Sequence, residues 1–145
     1  MLRSLLIALT LTATAYAAAA PTSAKEQYRA KNYAAWIALL EKQSNCQTEF
    51  VNKDDGDVET YSDCLYNVAA DSEKLAESLE SSPYKASVNA KVGTFDKFKE
   101  LREHVCTEFA IKNNGAFVAA NNSSCLARQN LDRVAVVLNT LRSSK

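Results

Sequence analysis

Apolar residues recur every three or four positions over most of the chain, which is the spacing of amphipathic α-helices rather than of β-strands. A first helix is predicted over residues 23–43, where Ser23 and Glu26 can form a capping box. A second is predicted over 57–80 and ends before Pro83, because the residue preceding a proline disfavours the helical region. The predicted buried face of the first helix consists of Tyr33, Trp36, Ile37 and Leu40. That of the second consists of Tyr61, Leu65, Val68, Leu75 and Leu79.

The C-terminal half predicts two further helices. One spans 84–113 and closes at Asn114-Gly115, although Gly93 costs its first turns about 1 kcal/mol relative to alanine. The last begins near Ser123 or Ser124, both natural N-caps. The predicted apolar face of the helix over 84–113 is Val88, Val92, Phe95, Phe98, Leu101, Val105 and Phe109. That of the last helix is Ala127, Leu131, Val134, Leu138 and Leu141. We therefore expect an all-α bundle of about four helices.

The N-terminus has the organisation of a secretory signal peptide. A basic start at Arg3 precedes an apolar stretch too short to cross a bilayer, which needs about 20 residues. Ala15-Tyr16-Ala17 is a small-x-small cleavage site, with cleavage after Ala20 or Ala24 as the alternatives. Residues 1–17 are therefore predicted to be removed. Residues 18–145 then form a single exported helical domain, periplasmic or secreted, without a membrane anchor.

The charge balance and the low glycine and proline content limit the classes of function and fold that the chain can have. Removal of residues 1–17 takes Arg3 with it and leaves 16 basic and 17 acidic side chains. A nucleic-acid-binding protein needs a basic face, so this class is not expected. Only three glycines and two prolines occur in the chain, which favours helices over a sandwich of short strands.

Four cysteines in an exported chain are best interpreted as two disulfides, for which three pairings exist. Cys46 and Cys64 flank the first predicted helix connection, and Cys106 and Cys125 flank the last. Antiparallel neighbours bring such positions to matching heights, so Cys46–Cys64 and Cys106–Cys125 are the preferred pairs. Each would stabilise the fold by about 3 kcal/mol on the chain-entropy model.

The chain's only histidine, His104, lies two positions from Cys106. On a helix the two side chains point to nearly opposite sides, so they cannot act on one atom. Glu100, His104 and Glu108 share a face, but a solvated charged face explains them better than a metal site. No catalytic residues, metal or cofactor are predicted.

The segment from Phe98 to Cys106 resembles the W-x-x-[FY]-R-D-x-x-C pattern of the LprI-like lysozyme-inhibitor domain, a group of small exported bacterial proteins. Cys125 and Arg133 are similar to its closing helix, and Gly115 stands in its glycine-rich turn. Phe98 replaces the usual tryptophan and Asn130 the usual threonine. The resemblance covers about residues 45–140, and its motif residues here are Phe98, Leu101, Arg102, Glu103, Gly115 and Arg133.

This resemblance implies an exported helical protein that inhibits a lysozyme-type cell-wall hydrolase. Arg102, Glu103 and Arg133 are then interpreted as structural residues that tie helices together. The alternative is a structural or envelope-stress interaction domain with no hydrolase partner. An enzyme is not expected, because no nucleophile, base and orienting group can be assembled.

An inhibitor of a strongly basic lysozyme is expected to present acidic or polar residues to it. Such residues occur within the predicted Cys46–Cys64 loop, where a disulfide would preorganise them. They are Asp54, Asp55, Asp57, Glu59 and Asp63. Capping of the second helix by Asp57 is the simpler explanation of that residue. Phe117, in the loop before the last helix, is a second candidate contact, unless it covers the core.

Overall fold

The computed structural model describes residues 23–51, 57–112 and 117–143, all in helices or the short turns between them. Five helices follow one another: α1 (Ala24–Val51), α2 (Val58–Glu80), α3 (Lys85–Val92), α4 (Phe95–Lys112) and α5 (Val118–Ser143). The expectation of an all-α protein with about four helices is confirmed, with one helix more than predicted. The predicted signal peptide lies outside the described residues.

The first two helices begin where their capping residues predict. The Ser23 backbone N–H donates to Glu26 Oε2 at 3.0 Å, and the Glu26 N–H donates to Ser23 Oγ at 3.1 Å. This reciprocal pair confirms the capping box. Asp57 is the N-cap of α2, because its Oδ1 accepts from the Glu59 N–H at 3.0 Å. Its other oxygen accepts from the Thr60 hydroxyl at 2.6 Å.

Helices α2 and α5 form the centre of the bundle, with α1 and α4 packed against them. One core cluster lies around the Cys46–Cys64 disulfide, where Leu65 and Val68 of α2 meet Ala127 and Leu131 of α5. A second cluster lies further along the same two helices and includes Val88 of α3. The second cluster also contains Ala76, Leu79, Val134, Val137, Leu138 and Leu141. Burial of these apolar residues supplies most of the stabilisation of such a bundle.

Both preferred disulfides are present and confirm the predicted pairing: Cys46–Cys64 joins α1 to α2, and Cys106–Cys125 joins α4 to α5. The placement of two cysteines was wrong. α1 continues to Val51, so Cys46 lies inside the helix rather than after it, and Cys125 lies two turns into α5. The disulfides therefore connect the bodies of neighbouring helices. Two such bonds are typical of an oxidising, extracytoplasmic compartment.

The single helix predicted over 84–113 is wrong. Gly93 has φ +77°, a conformation that glycine adopts without steric cost, and it separates α3 from α4. The break leaves the last carbonyls of α3 without helical partners. The buried Arg133 guanidinium donates to two of them, from Val92 and Gly93, at 2.6 and 2.7 Å. A tertiary contact thus stabilises an interruption between two helices that the spacing of apolar residues does not indicate.

The predicted start of the last helix near Ser123 or Ser124 is also wrong. α5 begins at Val118, and the Asn121 N–H already donates to the Phe117 carbonyl. Ala120 and Ser123 are buried on the face of α5 that packs into the bundle. Packing of this additional turn outweighs the capping preference of the serines.

The apolar face predicted for α4 packs at its start, where Phe95 contacts the second core cluster, but not in the later turns. Leu101, Val105 and Phe109 are 63, 42 and 47% exposed, whereas the buried residues of α4 are Arg102, Cys106 and Ala110. The buried set lies one position later along the helix. The disulfide of Cys106 and the contacts of Arg102 hold this face against the bundle, so the predicted apolar row turns towards solvent.

No helix within the described ranges is long and apolar enough to cross a membrane.

Candidate partner-binding site

Acidic and aromatic side chains meet at one end of the bundle, where α1 ends and α2 begins. A small pocket there is lined by Glu49 and Phe50 of α1, by Asp57, Thr60 and Tyr61 of α2, and by the Cys46–Cys64 disulfide. Glu59 and Asp63 are exposed on the same first turns of α2, two positions either side of Tyr61, so their side chains leave the helix on nearly the opposite side from the Tyr61 ring. We call Glu49, Phe50, Asp57, Glu59, Tyr61, Asp63 and Phe117 the acidic–aromatic end.

Three aromatic rings hold this end together. Phe50 stacks on Tyr61 with ring centroids 4.5 Å apart, and the Phe117 ring meets Phe50 edge-on at 6.0 Å. Such arrangements are worth about 0.5–1.5 kcal/mol each beyond the area they bury. Phe117 still exposes 41% of its surface. Phe50 therefore links Phe117 to Tyr61 of α2, although Phe117 and the acidic residues of α2 were predicted as separate candidate contacts.

The carboxylates of this end have different roles. Asp57 is occupied as the N-cap of α2, so its contribution to partner binding is secondary to its structural one. Glu49, Glu59 and Asp63 are exposed. Two further predicted contacts, Asp54 and Asp55, lie outside the described residues.

Arg102, predicted as a motif residue, lies buried where α4 meets α2 and α5. Its guanidinium donates to Asn130 Oδ1 at 2.6 Å, to Glu73 Oε2 at 3.2 Å and to Glu103 Oε1 at 3.2 Å. The Asn130 amide in turn donates to the Ala69 carbonyl at 3.0 Å. This network links three helices through one cation, which is a structural role.

Arg133 also lies buried, close to the ring of Phe98. It forms a bidentate pair with Glu80, with Nε–Oε1 and Nη2–Oε2 distances of 2.7 and 3.0 Å, and both residues are buried. Its guanidinium carbon lies 5.1 Å from the centre of the Phe98 ring, and that of Arg102 lies 5.9 Å away. Phe98 therefore contacts two arginines rather than lying wholly within an apolar core.

Of the remaining motif residues, Glu103 contacts this network and Leu101 does not. Leu101 is exposed, so its predicted structural role is not supported by any burial in the bundle. Gly115 lies outside the described residues. Glu103, which is itself largely exposed, contacts Arg102 from the neighbouring position on α4.

Glu73 and Lys99 form an ion pair with 3.0 Å between Nζ and Oε1. Burial raises the pKa of the Glu73 carboxyl, but the hydrogen bond from Lys99 and the charges of Arg102 and Lys99 outweigh it. The pKa of Glu73 therefore lies below its ordinary value of 4.5. The same hydrogen bond raises the pKa of Lys99.

This pKa shift predicts a pH-dependent contribution to stability. Because the pKa of Glu73 is lower in the folded protein, its ionised form stabilises the fold above about pH 4.5, and this contribution is lost as pH falls below that value. The difference in free energy of unfolding between wild type and Glu73→Gln should be constant near neutral pH and shrink below about pH 4.5. Urea unfolding at several pH values measures it. A difference that grows on acidification would contradict this assignment.

The described residues offer no metal site and no nucleophile–histidine pair. No group of three or more metal-ligating His, Cys, Asp or Glu side chains occurs among them. All four cysteines are in disulfides, and His104 is exposed on α4.

Several residues of these sites carry no recognisable sequence signal. Glu73 and Glu80 lie among other acidic residues of α2, and their arginine partners are 29 and 53 positions away. Phe50 and Tyr61 are single aromatic residues within largely polar segments, and nothing in the sequence pairs them. The capping residue Asp57 has the clearest local signal, because an aspartate precedes a helical pattern there.

No protein-family model, curated protein or solved structure matches this chain.

Proposed function

We propose that the protein is an exported binding module of the LprI-like kind that inhibits a lysozyme-type cell-wall hydrolase through its acidic–aromatic end. The observation that carries this proposal is a chain of ring contacts: Phe117 meets Phe50 of α1, and Phe50 stacks on Tyr61 in the acidic first turns of α2. Two stretches of chain that were separate candidates in the sequence form one surface through Phe50 and Tyr61. The resemblance of the Phe98–Cys106 segment supports the choice of partner.

The chemistry of this surface suits a basic protein. Exposed carboxylates of Glu49, Glu59 and Asp63 would steer a positively charged partner and increase the association rate. The half-exposed ring of Phe117 would supply the apolar anchor that binding surfaces need near their centre. The Cys46–Cys64 disulfide lies beside these residues and reduces the entropy lost on binding.

This proposal treats the protein as a non-enzyme whose disulfides and buried arginines hold a rigid surface in place. One observation favours the alternative, an interaction domain without a hydrolase partner. Leu101 and Val105 form an exposed apolar row on α4, away from the carboxylates of the acidic–aromatic end. A partner that bound there would not need to be basic.

Residual lysozyme activity on cell-wall substrate, measured with the purified mature protein, tests the proposal. We expect inhibition that saturates with protein concentration and that weakens about tenfold or more in Phe117→Ser, since a central aromatic anchor contributes about 1.4 kcal/mol or more. Val136→Ser, which removes an exposed apolar side chain from α5, is the matched control and should inhibit like wild type.

Equal inhibition by the two variants would move the contact away from Phe117. No inhibition of any basic lysozyme by the wild-type protein would leave the interaction-domain alternative as the better account.

A further inference from the structure

Two neighbouring surface pockets lie along the seam between α1 and α5, and together we call them the groove. Its first part has a volume of about 310 Å³, and its lining residues are Arg29, Tyr33, Trp36, Leu138, Asn139 and Arg142. Its second part, of about 320 Å³, follows one turn further along both helices and includes Gln43, Gln47, Arg128 and Asp132. Volumes of this size accommodate small ligands.

The arginines of this groove differ from those that hold the bundle together. Arg102 and Arg133 use their guanidinium groups on carboxylates, an amide and backbone carbonyls. Arg29 and Arg142 form no ion pair or hydrogen bond within the described part of the chain. Their planar donor sets therefore remain available to a ligand, and carboxylate is one of the groups, with phosphate, that a guanidinium binds in bidentate fashion.

Aromatic side chains lie beside these two cations. The Tyr33 ring is 48% exposed and lies 5.3 Å from the Trp36 ring, with the planes tilted by 52°. The Trp36 indole N–H is occupied by the Leu131 carbonyl at 3.0 Å, which fixes the ring at the floor of the groove. A half-exposed tyrosine beside a fixed tryptophan is a surface for stacking the face of a ring.

We infer that this groove binds a saccharide that carries a carboxylate, with the acid group at Arg29 and Arg142 and a sugar ring against Tyr33 and Trp36. The neutral amides of Asn139, Gln43 and Gln47 supply donors and acceptors for hydroxyl and acetamido groups along the seam. From Arg29 to Gln47 the helix rises about 27 Å, enough for several sugar rings.

The distribution of charge favours this ligand over the others that arginines attract. A nucleic acid carries a charge on every residue and needs a continuous basic channel, whereas here neutral amides separate the cations and Asp132 lies in the groove. An aromatic acid would satisfy the arginines but leave the amides of the second part unmatched. The site is separate from the proposed hydrolase contact, so each can fail without the other.

Trp36 is the only tryptophan in the chain, so its fluorescence reports occupancy of the groove directly. The probe is a tetrasaccharide of alternating N-acetylglucosamine and glucuronic acid. Its controls at matched ionic strength are the neutral N-acetylglucosamine tetramer, benzoate and acetate. We expect a saturable change with the acidic saccharide, a Kd at least about tenfold weaker for the neutral one, and no saturation with acetate.

Arg142→Gln should weaken binding of the acidic saccharide about tenfold and leave the neutral one unchanged. Lys91→Gln, which removes an exposed cation from α3, should behave as wild type for both. Several results would overturn the inference: equal affinity for acidic and neutral saccharides, tighter binding of benzoate, saturation by acetate, or no saturable change with any probe. Unchanged affinity in Arg142→Gln, with circular dichroism showing a folded protein, would also overturn it.

Discussion

Replacement of Arg133 by leucine is expected to lower the free energy of unfolding by about 3–5 kcal/mol, because it leaves the Glu80 carboxylate buried without its cation. The carbonyls of Val92 and Gly93 also lose their donor at the end of α3. Urea unfolding at neutral pH measures the loss. The transition should remain cooperative if the variant still folds.

Two further variants distinguish the effect of an unpaired buried charge from the effect of removing any arginine. Arg142→Leu removes an exposed arginine from the same helix and should change stability by no more than about 0.5 kcal/mol. The double variant Glu80→Leu/Arg133→Leu should recover part of the loss, because an apolar pair can replace a buried ion pair at little cost. If Arg133→Leu were no less stable than Arg142→Leu, the structural role of Arg133 would be refuted.

Removal of either disulfide by paired Cys→Ala replacement is expected to cost about 3 kcal/mol, since the two bonds close loops of nearly equal length, with sequence separations of 18 and 19. Both removals should weaken inhibition, but to different extents. Loss of Cys46–Cys64 frees the carboxylates together with Phe50 and Tyr61 and should weaken inhibition more, whereas loss of Cys106–Cys125 frees only the loop that contains Phe117. Thermal unfolding and the lysozyme assay measure the two effects separately.

Equal loss of inhibition in both disulfide variants would mean that inhibition follows stability alone. The disulfide variants would then not show which end of the bundle binds the lysozyme.

The parts of the fold that depend on local patterns could be predicted from the sequence. Apolar spacing predicted the helices, Ser23 and Asp57 predicted two of their starts, and loop lengths predicted the disulfide pairing. The helix break at Gly93 could not be predicted from such local patterns. A glycine within a helical pattern usually costs the helix only about 1 kcal/mol, and the partner that stabilises this break, Arg133, is 40 positions away.

The candidate sites could be predicted only in part, because they too depend on contacts between residues that are distant in the sequence. Acidic residues and Phe117 were recognisable as unusual, but their meeting depends on Phe50, which belongs to an added turn of α1. Tyr33 and Trp36 were predicted as core residues; Trp36 does pack against both core clusters, whereas Tyr33 is 48% exposed, because periodicity does not distinguish a buried face from one that lines a groove. Only the packing of α1 against α5 makes that distinction.

The most direct test of the acidic–aromatic end is the association rate with a basic lysozyme, measured by surface plasmon resonance over a range of salt concentrations. The test variant carries Glu49→Gln, Glu59→Gln and Asp63→Asn, and Asp57 is retained because it caps α2. The control carries Glu77→Gln, Glu100→Gln and Glu108→Gln, which change net charge equally at exposed positions elsewhere.

Exposed charges are screened beyond about 10 Å at 0.1 M ionic strength, so the wild-type rate should fall as salt rises. The test variant should associate about tenfold more slowly at low salt and depend less on salt, whereas the control should stay close to wild type. If the test variant associated as fast as the control at low salt, the acidic–aromatic end would not be the binding surface.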